Sequence, residues 1–190
     1  MKVKDEHKRT RIIEKSIDIV YTSGIAGVKM AQLAKMVGIS PSTLYVYFKS
    51  KEELLSSIYS ELVSQDLDPS PIRDEIDLPF KLKLKKLWLQ WVNFAINNAK
   101  EMNFLTQYKQ SPYYHKLPED VRDKSKQLAK ELINDGIQQG LIKDLDFAVL
   151  TAVMVGMMHQ TVQLVLNKQI DFNQENADLM FSLTWDAIKS

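Results

Sequence analysis

Apolar residues recur along most of this 190-residue chain at the spacing of one helix face. Ile13, Ile17 and Val20 stand at i, i+4 and i+7 with Lys, Arg and Glu between them, which predicts a first helix over about 6–22. Gly24 follows as a left-handed cap. The run MAQLAKM predicts a short helix over about 30–36, stopped by Gly38. Ser40-Pro41 opens the next, about 41–47, because Ser accepts from the first free amides and Pro needs no N–H at the first helical position. Ser50 with Glu53 forms the S-x-x-E pattern of a capping box and starts a fourth helix reaching about 65.

Residues 66–78, DLDPSPIRDEIDL, hold two prolines and five acids and predict a solvated bend. Beyond it, helical periodicity returns over about 79–99, 101–109, 119–139, 146–168 and 174–188. Gly140 ends the third of these, and Asn173 starts the last. No strand pattern of period two and no internal repeat occurs. The expectation is an all-α fold of roughly nine helices.

Composition narrows the chemistry. There is no cysteine, which excludes a disulfide framework, a thiol nucleophile and a Cys-based zinc site. No Ser-His-Asp constellation or carboxylate pair is legible, and no cofactor is expected. His159 has no metal partner by spacing in His7 or His115. The start, MKVKDEHKRTR, lacks the apolar stretch of a signal peptide. The longest nearly apolar run, Phe147 to Met158, is too short to span a bilayer, so the expectation is a cytoplasmic protein with no membrane partner. Net charge is +1, but residues 1–51 hold ten Lys/Arg against four Asp/Glu, a net of +6, and the remainder carries −5. Such asymmetry fits an N-terminal part that meets an anion, or simply a solvated basic first helix.

Two short helices joined by a tight Gly-containing turn, the second opened by Ser-Pro, make a helix-turn-helix. Its inner face is Leu33, Ala34, Val37, Ile39 and Leu44, with Ala34 small enough for two helices to cross closely. Pro41, Ser42, Thr43, Val46 and Tyr47 are left outward. Tyrosine hydroxyls donate to phosphate and lysines neutralise it, so Tyr47 and Lys51 are candidate contacts to a nucleic-acid backbone, while Phe48 packs inward.

The run VKMAQLAKMVGISPSTLYVYFKSKEELL resembles the DNA-binding segment of the TetR family of bacterial transcription regulators. The matching residues are Leu33-Ala34, Gly38-Ile39-Ser40, Leu44-Tyr45, Tyr47-Phe48 and Lys51-Glu52-Glu53-Leu54, about a quarter of the chain. The resemblance implies that Thr43, Tyr45, Tyr47 and Lys51 hold phosphates and that Pro41, Ser42 and Val46 face base edges. The family usually has Thr or Ser as N-cap of the first motif helix, and this chain has Lys29 there. Either the cap is lost or Lys29 itself reaches a phosphate. At the start of that helix only Gln32 can hydrogen-bond a base, preferably adenine. The resemblance further implies a helix-turn-helix domain over 1–50 and a ligand-binding and dimerisation domain over 51–190, with helix 51–65 connecting them.

Eight of the 17 aromatics fall between positions 80 and 114. Trp88, Trp91 and Ala95 share one helix face, with Phe94 at its edge, and Phe104 and Tyr108 follow. Helix 146–168 adds Met154, Met157, Met158 and His159, and thioethers adapt to varied apolar surfaces. These residues make either an ordinary core or the lining of an effector pocket, and the family resemblance implies the pocket. Helix 146–168 is apolar nearly all round and must be covered on both sides. Together with Leu179, Leu183 and Trp185 of the last helix it predicts a two-fold homodimer interface through 146–168 and 174–188. The expectation is therefore a transcriptional repressor that binds a palindromic double-stranded operator and is released by a small apolar or aromatic effector. Two alternatives stay open on the residues alone: an all-α enzyme or carrier with an incidental basic N-terminus, and a nucleoid-type protein of low sequence preference.

Overall fold

The computed structural model describes residues 5–75 and 77–190, and the backbone alone at 65, 66, 73, 120 and 123–125. Among the described residues ten α-helices run in chain order: α1 Glu6–Ser23, α2 Met30–Val37, α3 Pro41–Tyr47, α4 Lys51–Asp66, α5 Ser70–Arg73, α6 Phe80–Asn97, α7 Ala99–Lys109, α8 Glu119–Gln138, α9 Phe147–Leu166 and α10 Gln174–Ile188. Two 3-10 turns add Ile25–Gly27 and Tyr114–Lys116. Among the described residues there is no strand, only an isolated bridge between Ile142 and Lys189. The acidic bend foreseen over 66–78 holds one helical turn, α5, which begins at Ser70-Pro71. Local chemistry placed the ends well. The Ser40 hydroxyl accepts from the Thr43 amide at 3.1 Å, and Gly38 closes α2 at φ 76°, a left-handed conformation. Ser50 takes the Glu53 amide at 3.1 Å, whereas the Glu53 carboxylate reaches back to the Lys49 amide at 2.7 Å.

The helices form two compact units that do not follow chain order. The first comprises the described part of Met1–Gln65 together with Asn98–Arg122. Its core is Ile12, Val20, Leu33, Ala34, Leu44, Leu54, Leu55 and Ile58 with the rings of Phe48, Tyr59, Phe104 and Tyr108, all essentially solvent-free. Helix α7 belongs here because it packs along α1. Gln107 donates to the Val20 carbonyl at 3.2 Å and accepts from the Ile25 amide at 3.3 Å, and Lys100 pairs with Asp18 at 2.6 Å.

The second unit comprises Asp66–Asn97 and Asp123–Ser190, in which α6, α9 and α10 pack on one another. Phe80 lies 6.3 Å from Trp185 and Trp88 lies 6.1 Å from Phe181, ring centroid to centroid. Helix α8 approaches Phe80 at Gly136, where an added Cβ would sit 2.5 Å from the Phe80 Cζ. The apolar run read as too short for a bilayer continues through Thr161–Leu166 as one helix of 20 residues. By length and composition α9 is sufficient to cross a membrane, and little of it is buried within the chain. Val149, Val153 and Leu166 on α9 and Leu179 and Leu183 on α10 stay exposed.

Candidate nucleic-acid interface and effector cavity

In the first unit α2 and α3 contact one another, and Leu33, Ala34, Val37 and Leu44 are buried. That contact leaves Ala31, Gln32 and Lys35 of α2, and Pro41, Ser42, Tyr45 and Val46 of α3, exposed. Tyr45 is 47% and Val46 55% accessible, large values for an aromatic and a β-branched residue. Thr43 is half-buried, and its hydroxyl lies 2.9 Å from that of Ser40. Lys29 is exposed and makes no side-chain cap on α2, so the departure at this position costs the cap. These side chains present to solvent an array of hydroxyls, one amide, lysines and apolar groups that can meet base edges and phosphates.

Two predicted contacts sit differently. Tyr47 is 8% exposed, and its hydroxyl accepts from the Asp5 amide at 3.1 Å, tying the start of α1 to the end of α3. The Lys51 ammonium donates to the Ile25 carbonyl at 2.6 Å and lies 5.7 Å from the centre of the Tyr113 ring. Partial burial holds the Lys51 pKa below its ordinary value. Since Gln107 holds the Ile25 amide, the turn between α1 and α2 is gripped from both α4 and α7. Phe48 packs inward as expected, under the Arg9 guanidinium at 5.6 Å. Arg9 also pairs with Glu61 of α4.

The second unit contains an apolar cavity of about 210 Å³. Leu84, Leu87, Trp88 and Trp91 of α6 form one wall, and Met154 and Met158 of α9 another. Leu128, Ala129, Leu132 and Ile133 of α8 form the third, and Leu67 and Pro69 also line it. Of the predicted ligand residues, Trp88, Trp91, Met154 and Met158 therefore meet at one place. His159 stands behind the wall, edge-on to Trp91 at 4.9 Å, and Met157 and Phe94 are not part of the lining. Phe104 and Tyr108 do not belong to this unit at all. They stack at 5.8 Å within the first unit, where α7 has carried them. The α8 wall was missed, although Leu128, Leu132 and Ile133 recur at helical spacing inside an otherwise charged helix. Leu67 and Pro69 were hidden in what read as a bend. Gln90 donates to the Asp68 carbonyl at 3.4 Å and so fastens that segment to α6. Among the described residues lining the cavity none is charged.

Comparison with known proteins identifies the family of the chain. Residues 12–58 match the model of bacterial regulatory proteins of the tetR family, and residues 79–189 match a tetracyclin repressor-like C-terminal domain. The chain belongs to the TetR family and is a DNA-binding transcription regulator rather than an enzyme. A fatty acid metabolism regulator protein of Bacillus subtilis is 26% identical over 182 residues, covering 85% of this chain and 86% of that one. Among solved structures, a TetR family regulator from Marinobacter aquaeolei shares the fold at a TM-score of 0.79 and 24% identity, covering 98% of this chain and 97% of the other. A fatty acid degradation regulator from Bacillus halodurans does so at 0.67 and 19%, covering 96% and 97%.

Proposed function

We propose that the protein is a homodimeric repressor that binds a palindromic operator and releases it when an apolar, fatty-acid-derived effector fills the cavity of the second unit. The observation that carries this is the cavity itself: uncharged, walled by leucines, tryptophans and methionines, and lined also by Leu67 and Pro69, which follow α4 directly in the chain. A ligand shifts an equilibrium only through different affinity for two states. Occupancy that displaces the Leu67–Pro69 wall acts on the end of α4 and hence on the unit that reads DNA. Two recognition helices must stand one turn of duplex apart, roughly 34–36 Å, or a multiple of it. The apolar faces of α9 and α10 support two-fold pairing, because water-exposed valine and leucine on adjoining helices gain most from a second copy. Such pairing also gives α9 a cover other than lipid. Gln32, Pro41, Ser42 and Val46 would face the groove, and Lys29, Thr43 and Tyr45 the phosphates. Cytoplasmic action follows from the chromosome as target.

The test is a competition assay on genomic fragments, including the protein's own promoter, with and without saturated acyl chains of graded length. One fragment should outcompete bulk DNA at physiological salt and lose affinity as the right chain is added. Equal affinity for every fragment would end the operator proposal. A retained complex at saturating chain concentration would end the effector proposal.

A further inference from the structure

Little in its own sequence holds the start of α2 in place. Lys29 gives no side-chain cap, Ala31 and Gln32 are exposed, Met30 is half-buried, and burial begins at Leu33. The turn before it is compact. The Gly27 amide donates to the Gly24 carbonyl at 3.0 Å and the Val28 amide to the Ile25 carbonyl at 3.2 Å, and the Val28 side chain is buried. An added Cβ at Gly27 would lie 2.6 Å from the Ser23 Cβ, so the turn has no slack. Whatever fixes Ile25 therefore fixes where α2 begins.

Gln107 of α7 spans this turn. Its Nε2 donates to the Val20 carbonyl in the last turn of α1 at 3.2 Å, and its Oε1 accepts from the Ile25 amide at 3.3 Å. The partners decide which atom is which, since an N–H can meet only the oxygen and a carbonyl only the nitrogen. Asn103 Oδ1, one turn earlier on α7, takes the other Nε2 hydrogen at 2.7 Å and holds the amide in that orientation. Resting on the operator binding proposed above, we infer that Gln107 is a positioning residue for DNA recognition. It acts through the α1–α2 turn, setting the place from which Lys29 and Gln32 reach the duplex. A side-chain N-cap would pin the helix start locally. Here the grip comes from 82 residues away. A base-edge hydrogen bond depends steeply on angle and distance, whereas a long lysine stem follows a phosphate over a wider range. Releasing the turn therefore weakens the contacts that read sequence more than those that neutralise the backbone.

The test uses the full chain, the genomic fragment that wins the competition assay, and bulk DNA as reference. Gln107→Met keeps the stem and removes every polar contact. Its ratio of operator to bulk affinity should fall about ten-fold, the cost of roughly one mismatched base pair, with the salt slopes unchanged. A general loss of stability does not imitate this, because it withdraws folded protein from both DNAs alike. Lys100→Met is the control. It breaks another polar link from α7 to α1, the ion pair with Asp18, which lies within the helix rather than at the turn, and should leave the ratio as it was. An unchanged ratio in Gln107→Met, or an equal fall in Lys100→Met, overturns the inference while operator binding stands. Should Gln107→Met not fold, Gln107→Glu is read in its place. It keeps the size and the acceptor but sets a carboxylate oxygen against the Val20 carbonyl, so the ratio should again fall, and an unchanged one overturns the inference. A wild type that prefers no fragment overturns the operator proposal, and this inference with it.

Discussion

Tyr108 is the point at which the first unit can be made more stable by removing an atom. Its side chain is fully buried, its ring stacked on Phe104 at 7° and 5.0 Å from Tyr59, yet its hydroxyl has no hydrogen-bond partner among the described residues. Tyr108→Phe keeps every ring contact and deletes the unmade donor. An unsatisfied buried polar group costs about 1–3 kcal/mol, from which the small void left behind subtracts a part. The variant should therefore be about 1 kcal/mol more stable at pH 7, a rise of roughly 2–4 °C in Tm for a chain of this size. pH sharpens the contrast. Burial, with the nearby Glu52 charge, pushes the phenol from 10.0 up to about 12. A raised pKa contributes stability that is complete below the unfolded value and is lost as pH climbs from 10 towards 12. Over that window the wild type loses stability that Tyr108→Phe never had at stake, on the order of 1 kcal/mol. Urea denaturation at pH 7 and at pH 11 measures both effects. A variant less stable than the wild type at pH 7, or a difference that does not widen with pH, would refute the reasoning and show that the hydroxyl has a partner.

Three further outcomes follow. Lys51→Met keeps the aliphatic stem but removes the donor to Ile25. The 2.6 Å bond predicts a loss of about 1 kcal/mol in thermal stability with little change in the salt dependence of DNA binding, whereas a drop of about one in that slope would make Lys51 a phosphate ligand. Gly136→Ala places a methyl 2.5 Å from the Phe80 ring and 2.8 Å from the Ile142 Cδ1, so it should cost about 1–3 kcal/mol in urea denaturation, and an unchanged midpoint would mean that α8 can shift freely. Leu183→Asp puts a charge on a residue 46% exposed on α10, and sedimentation should show monomers; an intact dimer would place the interface elsewhere.

The helix-turn-helix was legible because its determinants are local. Ser40 reaches an amide three residues on, Pro41 suits the first helical position, and Gly38 adopts positive φ at the end of its own helix. Such interactions act within one turn, so the order of residues specifies them. Trp88, Trp91, Met154 and Met158 were also within reach, because each lies on a helix face whose apolar character shows in its spacing. Which faces meet is another matter. Phe104 and Tyr108 resemble Trp88 and Trp91 in type and position along the chain, yet α7 packs on α1 and carries them into the other unit. Periodicity gives the direction of a side chain about its own helix and carries no information about the partner across from it. The same holds for Tyr47 and Lys51, whose inward ends bind the Asp5 amide 42 residues before and the Ile25 carbonyl 26 residues before. Ring type, charge and helical phase are properties of the sequence. The partner that a hydroxyl or an ammonium finds exists only after distant helices have packed, because it depends on distances that no local spacing encodes.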